Sequence, residues 1–116
     1  MCEIILCAVL VFSNGPDVDS TVVYYPAQFV EDGKKIRYWE TYGIAYDHKW
    51  RALSSTGDYC ELQINRRWHE HRLTRRGLHW YSIYDPQTCW EIAFEIWQSS
   101  GGSFRQWSTK AKAGVQ

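Results

Sequence analysis

The sequence predicts a mostly antiparallel β fold, a strongly bent sheet or a small barrel. Three observations predict it: strand-length runs of aromatic and β-branched residues, two good hairpin turns, and no long unambiguous helix. The first run, Ile4 to Phe12, is uniformly apolar and reads as a fully buried strand. It is too short to cross a bilayer as a helix, which needs roughly 20 residues. It also lacks the basic leader and small-residue cleavage site of a signal peptide. Asn14-Gly15-Pro16-Asp17 ends it as a turn.

Thr21–Val30 and Lys35–Tyr46 flank Asp32-Gly33, a pair suited to a type I′ hairpin because Gly tolerates positive φ. With Glu31 opposite Lys34, the register opposes Phe29 to Ile36, Ala27 to Tyr38, Tyr25 to Glu40 and Val23 to Tyr42. Pro26 cannot donate to a ladder, so this strand is an edge or bulges there, and an exposed edge is compatible with a homodimer.

After the break at Ser54–Asp58, Tyr59 to Leu73 reads as a long strand with Cys60, Leu62, Ile64 and Trp68 on one side. Thr74-Arg75-Arg76-Gly77 is a turn, Leu78–Tyr84 another aromatic strand, and Asp85-Pro86-Gln87-Thr88 a type I turn. Trp90, Ile92, Phe94 and Ile96 then alternate with Glu91, Ala93 and Glu95, the period of a strand. The same stretch admits an α+β alternative, with residues 86–99 as a helix packed on the sheet. Asp85 would be its N-cap, Pro86 its first residue, and Gly101-Gly102 would lie past its end. The tail, residues 103–116, is expected to be loosely ordered, although Phe104 and Trp107 could dock.

At 116 residues the chain is read as one domain, 1–116. Its 45% apolar and 22% charged composition excludes disorder, collagen and a membrane bundle. A formal net charge of zero argues against coating nucleic acid by bulk electrostatics. The charge is unevenly spread: residues 1–47 hold three basic against seven acidic residues, and residues 48–84 hold seven basic against three acidic. Cys2, Cys7, Cys60 and Cys89 have no zinc-ligand spacing and read as buried thiols, which places the protein in the cytoplasm.

No motif of diagnostic value assigns an activity, and there is no nucleophile elbow or phosphate-binding glycine loop. Three groups of residues could carry chemistry. In the hairpin register Glu40 shares a face with Tyr25, Tyr38 and Tyr42, and His79 aligns with Tyr81 and Trp90. If both faces look inward, aromatics enclose one acid and one imidazole, a pocket for an apolar or aromatic small molecule. Arg66, Arg67, Arg72, Arg75 and Arg76, interleaved with Trp68, suit a polyanion or single-stranded nucleic acid. His69 and His71 would lie on one side of a strand, about 6.6 Å apart, a separation at which both could ligate one metal ion of a metal-dependent enzyme. The function expected is a small-molecule binding module that needs no cofactor and has no membrane partner. The rivals are the anion binder, the metal enzyme and a small inhibitor of another protein.

Overall fold

The computed structural model describes residues 6–14 and 19–116. Its first unit is a hairpin, β1 Cys7–Phe12 against antiparallel β2 Thr21–Pro26, with Ala8 opposite Tyr25 and Leu10 opposite Val23. Leu10, Phe12 and Tyr25 point to the core while Val9, Val11, Val22 and Tyr24 are exposed. The first strand is therefore half-buried rather than fully buried, as the period-2 geometry of a two-stranded sheet requires. The N-terminal part of the expected run, Ile4 and Ile5, and most of the turn at Asn14–Asp17 lie outside the described residues.

The hairpin leads into a helix rather than a second hairpin. This helix, α1, Ala27–Glu40, runs straight through Asp32-Gly33, so the mostly β fold class, the type I′ turn and the hairpin register built on it are all overturned. Phe29, Val30, Gly33 and Ile36 are buried at helical spacing. Asp32 accepts from Gln28 Nε2 at 2.8 Å, an i, i+4 bond that satisfies it without a turn. Gly33 is required for close approach, not for positive φ: a Cβ there would sit 2.5 Å from Trp90 Cζ3. Pro26 sits at the junction of β2 and α1 as the residue before the helix, where a missing N–H is harmless.

A 3-10 helix, Tyr46–Arg51, leads to a second small sheet, β3 Asp58–Tyr59 against β4 Ile64–Asn65. The expected strand Tyr59–Leu73 thus shrinks to two residues at each end of a tight loop, and α2, Arg66–Thr74, replaces the rest. Asn65 caps α2, its side chain accepting from Trp68 N at 3.2 Å. The expected strand Leu78–Tyr84 is a 3-10 helix, Trp80–Tyr84. α3 is Pro86–Ser99, with Asp85 accepting from Thr88 N and Pro86 in the first turn, so the strand reading of this segment gives way to the helix. Buried Cys89, Trp90, Ile92, Ala93 and Ile96 mark its inner face, and buried Ala93 decides against alternation.

Helices dominate two small two-stranded sheets, an α+β architecture. Phe29 is the centre of the core, with Tyr25, Trp90, Phe94, Trp97 and Phe104 rings all within 6 Å. The tail is docked there. Phe104 is fully buried and stacked on Phe29, Trp107 Nε1 donates to the Leu62 carbonyl at 2.6 Å, and a short helix α4, Lys110–Ala113, comes after them.

The cysteines correct the expectation of thiols. Cys60 and Cys89, both fully buried, are joined in a disulfide that ties the β3–β4 loop to α3. Cys7 is disulfide-bonded as well, no cysteine among the described residues is free, and Cys2 lies outside them. The cysteine argument for the cytoplasm therefore falls. Among the described residues no helix is long and apolar enough to cross a membrane.

Candidate functional site

The aromatic pocket expected from the two hairpins does not form. Tyr25 and Trp90 are core residues: Tyr25 packs on Phe29 and Phe94, and Trp90 Nε1 donates to Glu61 Oε2 at 3.1 Å. Tyr38 and Tyr42 are exposed on and just past the last turn of α1, in ring contact with Trp39. His79 is exposed and caps the second 3-10 helix, its Nδ1 accepting from Tyr81 N, with the two rings 5.3 Å apart.

Glu40 lies elsewhere, and in unexpected company. It ends α1 on the wall of a groove of about 520 Å³, within the usual size range of small-molecule sites. Trp68 and His69 of α2, Asp58 of β3, Gln63 and Trp107 also line it. Residues assigned from the sequence to three different sites thus meet in one place. Helix α2 brings Trp68 and His69 there because the Asn65 cap fixes where it starts. The same Asn65 side chain donates to Asp58 Oδ1 at 3.0 Å.

The electrostatics of the groove arise from its half-buried setting. Burial pushes the Glu40 carboxyl up to about 7; the Thr109 hydroxyl beside it works the other way and the Asp58 charge adds to the rise. Glu40 therefore exchanges a proton near neutrality. Asp58 is held below the usual carboxylate range despite desolvation, because Ser54, Thr56 and Asn65 all donate to it. His69 is pushed down to about 4 by burial and by the neighbouring Arg72 and His71 charges, against the pull of Glu95. Its Nδ1 accepts from Arg72 Nε at 3.2 Å, so the neutral ring carries its proton on Nε2.

This arrangement is chemically one-sided. It offers an acid that can donate or accept and a neutral imidazole donor. Asp58, the ionised carboxylate, already receives three donors and is poorly placed to act as a nucleophile. Gln63 donates its amide nitrogen to the Cys60 carbonyl and Gln106 donates its own to Ser100 Oγ. No donor among the described residues reaches either amide oxygen, so both remain acceptors. Gln63 also has φ +52°, a left-handed conformation rare outside glycine, on the groove wall.

The arginines of the expected anion ribbon are occupied. Arg66 pairs with Glu70 at 3.1 Å, Arg72 and Arg76 reach Glu95 at 2.6 and 2.5 Å, and Arg75 also pairs with Glu95. Arg67 instead lies over the Trp68 ring, 5.6 Å from its centroid. His69 and His71, two apart on a helix, point about 200° apart, so the shared strand face that motivated a joint metal ion is absent. Among the described residues no cluster of three or more His, Cys, Asp or Glu could hold a metal ion.

Sequence reasoning misses Asp58, Gln63, Asn65, Gln106 and Trp107 as groove residues. Only Asn65 carries a local signal, as a capping residue ahead of a polar run. No family model, no curated protein and no solved structure matches the chain, so its site is read from its own geometry.

Proposed function

We propose that this chain is a small-molecule binding module whose ligand lies in the groove between the end of α1, β4, α2 and the docked tail. The observation that carries this reading is Trp68: an indole 67% exposed on the wall of a groove that also holds the half-buried carboxyl of Glu40. Large aromatics are normally used to fill the core, and one left out beside a concave, partly apolar wall is a platform for a ring. Ile64, Ile96 and Trp107 supply the apolar floor, and Glu40 and His69 orient the ligand's polar end. Asp58, the ionised carboxylate of the groove, is engaged by its own hydrogen bonds, which leaves Glu40 and His69 as the groups that orient the ligand. The Cys60–Cys89 bond favours an oxidising compartment over the cytoplasm as the place where this happens.

The test is a thermal-shift screen of the disulfide-intact protein against neutral ring compounds, since a ligand of the native state raises the melting temperature by mass action. The expected result is stabilisation by some of them that is lost in Trp68→Ala. No stabilisation by any compound, or a shift unchanged in Trp68→Ala, overturns the reading.

A further inference from the structure

The groove specifies more than the size of its ligand. No lysine or arginine lines it, the guanidinium of Arg67 is taken up by the Trp68 ring, and two carboxyl groups line the wall, so the groove is ill suited to a phosphate, sulfate or carboxylate. An ammonium ligand finds no free counter-ion either: the oxygens of Asp58 are engaged by Ser54, Thr56 and Asn65, and burial keeps the Glu40 carboxyl protonated below about 7. The ligand is therefore neutral.

The polar groups left over are mixed in kind. The amide oxygens of Gln63 and Gln106 accept only, the Nε2–H of His69 donates only, and Glu40 does either according to its protonation. A hydroxyl group answers all of these, since it is at once a donor and a two-lone-pair acceptor. A purely aromatic or aliphatic molecule would leave them unpaired, at a desolvation cost for each. Beside them stands a flat, exposed indole, which favours a ring whose face is apolar and whose rim is polar. One common class of molecule combines a neutral charge, an apolar C–H face and a rim of hydroxyls.

We infer that the ligand of this groove is a neutral saccharide, one pyranose ring stacked on Trp68 with its hydroxyls bonded by Glu40, His69, Gln63 and Gln106. The inference rests on the binding-module reading above and narrows it to a ligand class. Arg67, 5.6 Å from the Trp68 ring centroid, makes a cation–π contact with the same indole without lining the groove.

The experiment is a fluorescence titration of the disulfide-intact protein with soluble cello-, xylo-, manno- and chito-oligosaccharides, alongside the ring compounds of the thermal-shift screen. At least one saccharide series should quench tryptophan emission saturably. Trp68→Ala should weaken that binding by roughly tenfold or more, and Trp68→Phe, which restores a stacking face, should recover part of it. Because Trp68 is exposed, both variants should keep the wild-type far-UV circular dichroism. Gln106→Ala, at another exposed position, should weaken binding severalfold and serves as the independent check. If no saccharide binds while ring compounds still act through Trp68, the saccharide inference is overturned and the binding module stands. If neither class binds, both are overturned. Saccharide binding undiminished in Trp68→Ala and Gln106→Ala overturns the placement of the ligand in this groove.

Discussion

Gly33 shows how one residue can be read two ways. Beside Asp32 it has the chemistry of a hairpin turn, yet its role is to let Trp90 approach the helix, where a Cβ would come within 2.5 Å of the indole. Glycine to alanine inside a helix ordinarily gains about 1 kcal/mol. Overpacking against a buried indole costs about 1–3 kcal/mol and should win. Gly33→Ala is thus expected to lower the urea midpoint, and an unchanged or higher midpoint would show that Trp90 gives way freely. Glu40 makes a second residue-scale prediction. Its carboxyl titrates near 7 in the folded protein against 4.5 ordinarily, so the native state holds a proton that the unfolded chain has released. Its contribution to stability is full below about pH 4.5 and is lost as the pH rises through 7. His69 acts in the opposite sense: lowered from 6.5 to about 4, it supports the fold above pH 6.5 and loses that support as the pH falls toward 4. The two oppose each other between those limits, and Glu40 acts alone just below 7. Glu40→Gln should therefore flatten the fall in stability between about pH 6 and 7.5, measured by denaturation at stepped pH. A slope equal to that of the wild type would mean the carboxyl ionises at its ordinary pH.

Among the elements, the β3–β4 hairpin and α3 depend on each other through Cys60–Cys89, which closes a sequence separation of 29. By the chain-entropy argument such a bond contributes about 3–4 kcal/mol. The double variant Cys60→Ala with Cys89→Ala should lose a stability of that size in denaturant titration. A much smaller loss would mean that the packing of α3 alone holds the two together. The helices themselves are unequally legible in the sequence. For α3 the signals are complete: Asp85 as cap, Pro86 in the first turn, glycines beyond the end. Alternating Trp90, Ile92, Phe94 and Ile96 compete with them, and the caps prove the better guide because they report backbone geometry directly. For α1 the helical spacing of Phe29, Val30, Gly33 and Ile36 is present, but the exposed Tyr38 and the half-buried Trp39 near its end blur the face. α2 buries only Leu73, so it has almost no apolar stripe to read.

At the scale of the whole molecule, the C-terminal tail completes the core rather than trailing from it. Phe104 stacks on Phe29, and Trp107 closes one side of the groove while donating to Leu62. Phe104→Ala should cost about 3–5 kcal/mol, as for other fully buried aromatics, and should loosen the groove wall with it. A loss below about 1 kcal/mol would mean that the tail docks without contributing to the core. By itself the sequence determined the aromatic character of that core, the cap and first turn of α3, and a strand near the start. These are local properties, set by side-chain chemistry and by backbone preferences a few residues long. The tertiary structure alone decided that Asp32-Gly33 continues a helix, that Cys60 meets Cys89, and that Glu40, Asp58, Trp68 and His69 share one groove. Each of these depends on contacts between residues far apart in the chain, where packing around Trp90 and Phe29 outweighs local preferences worth about 1 kcal/mol or less per residue.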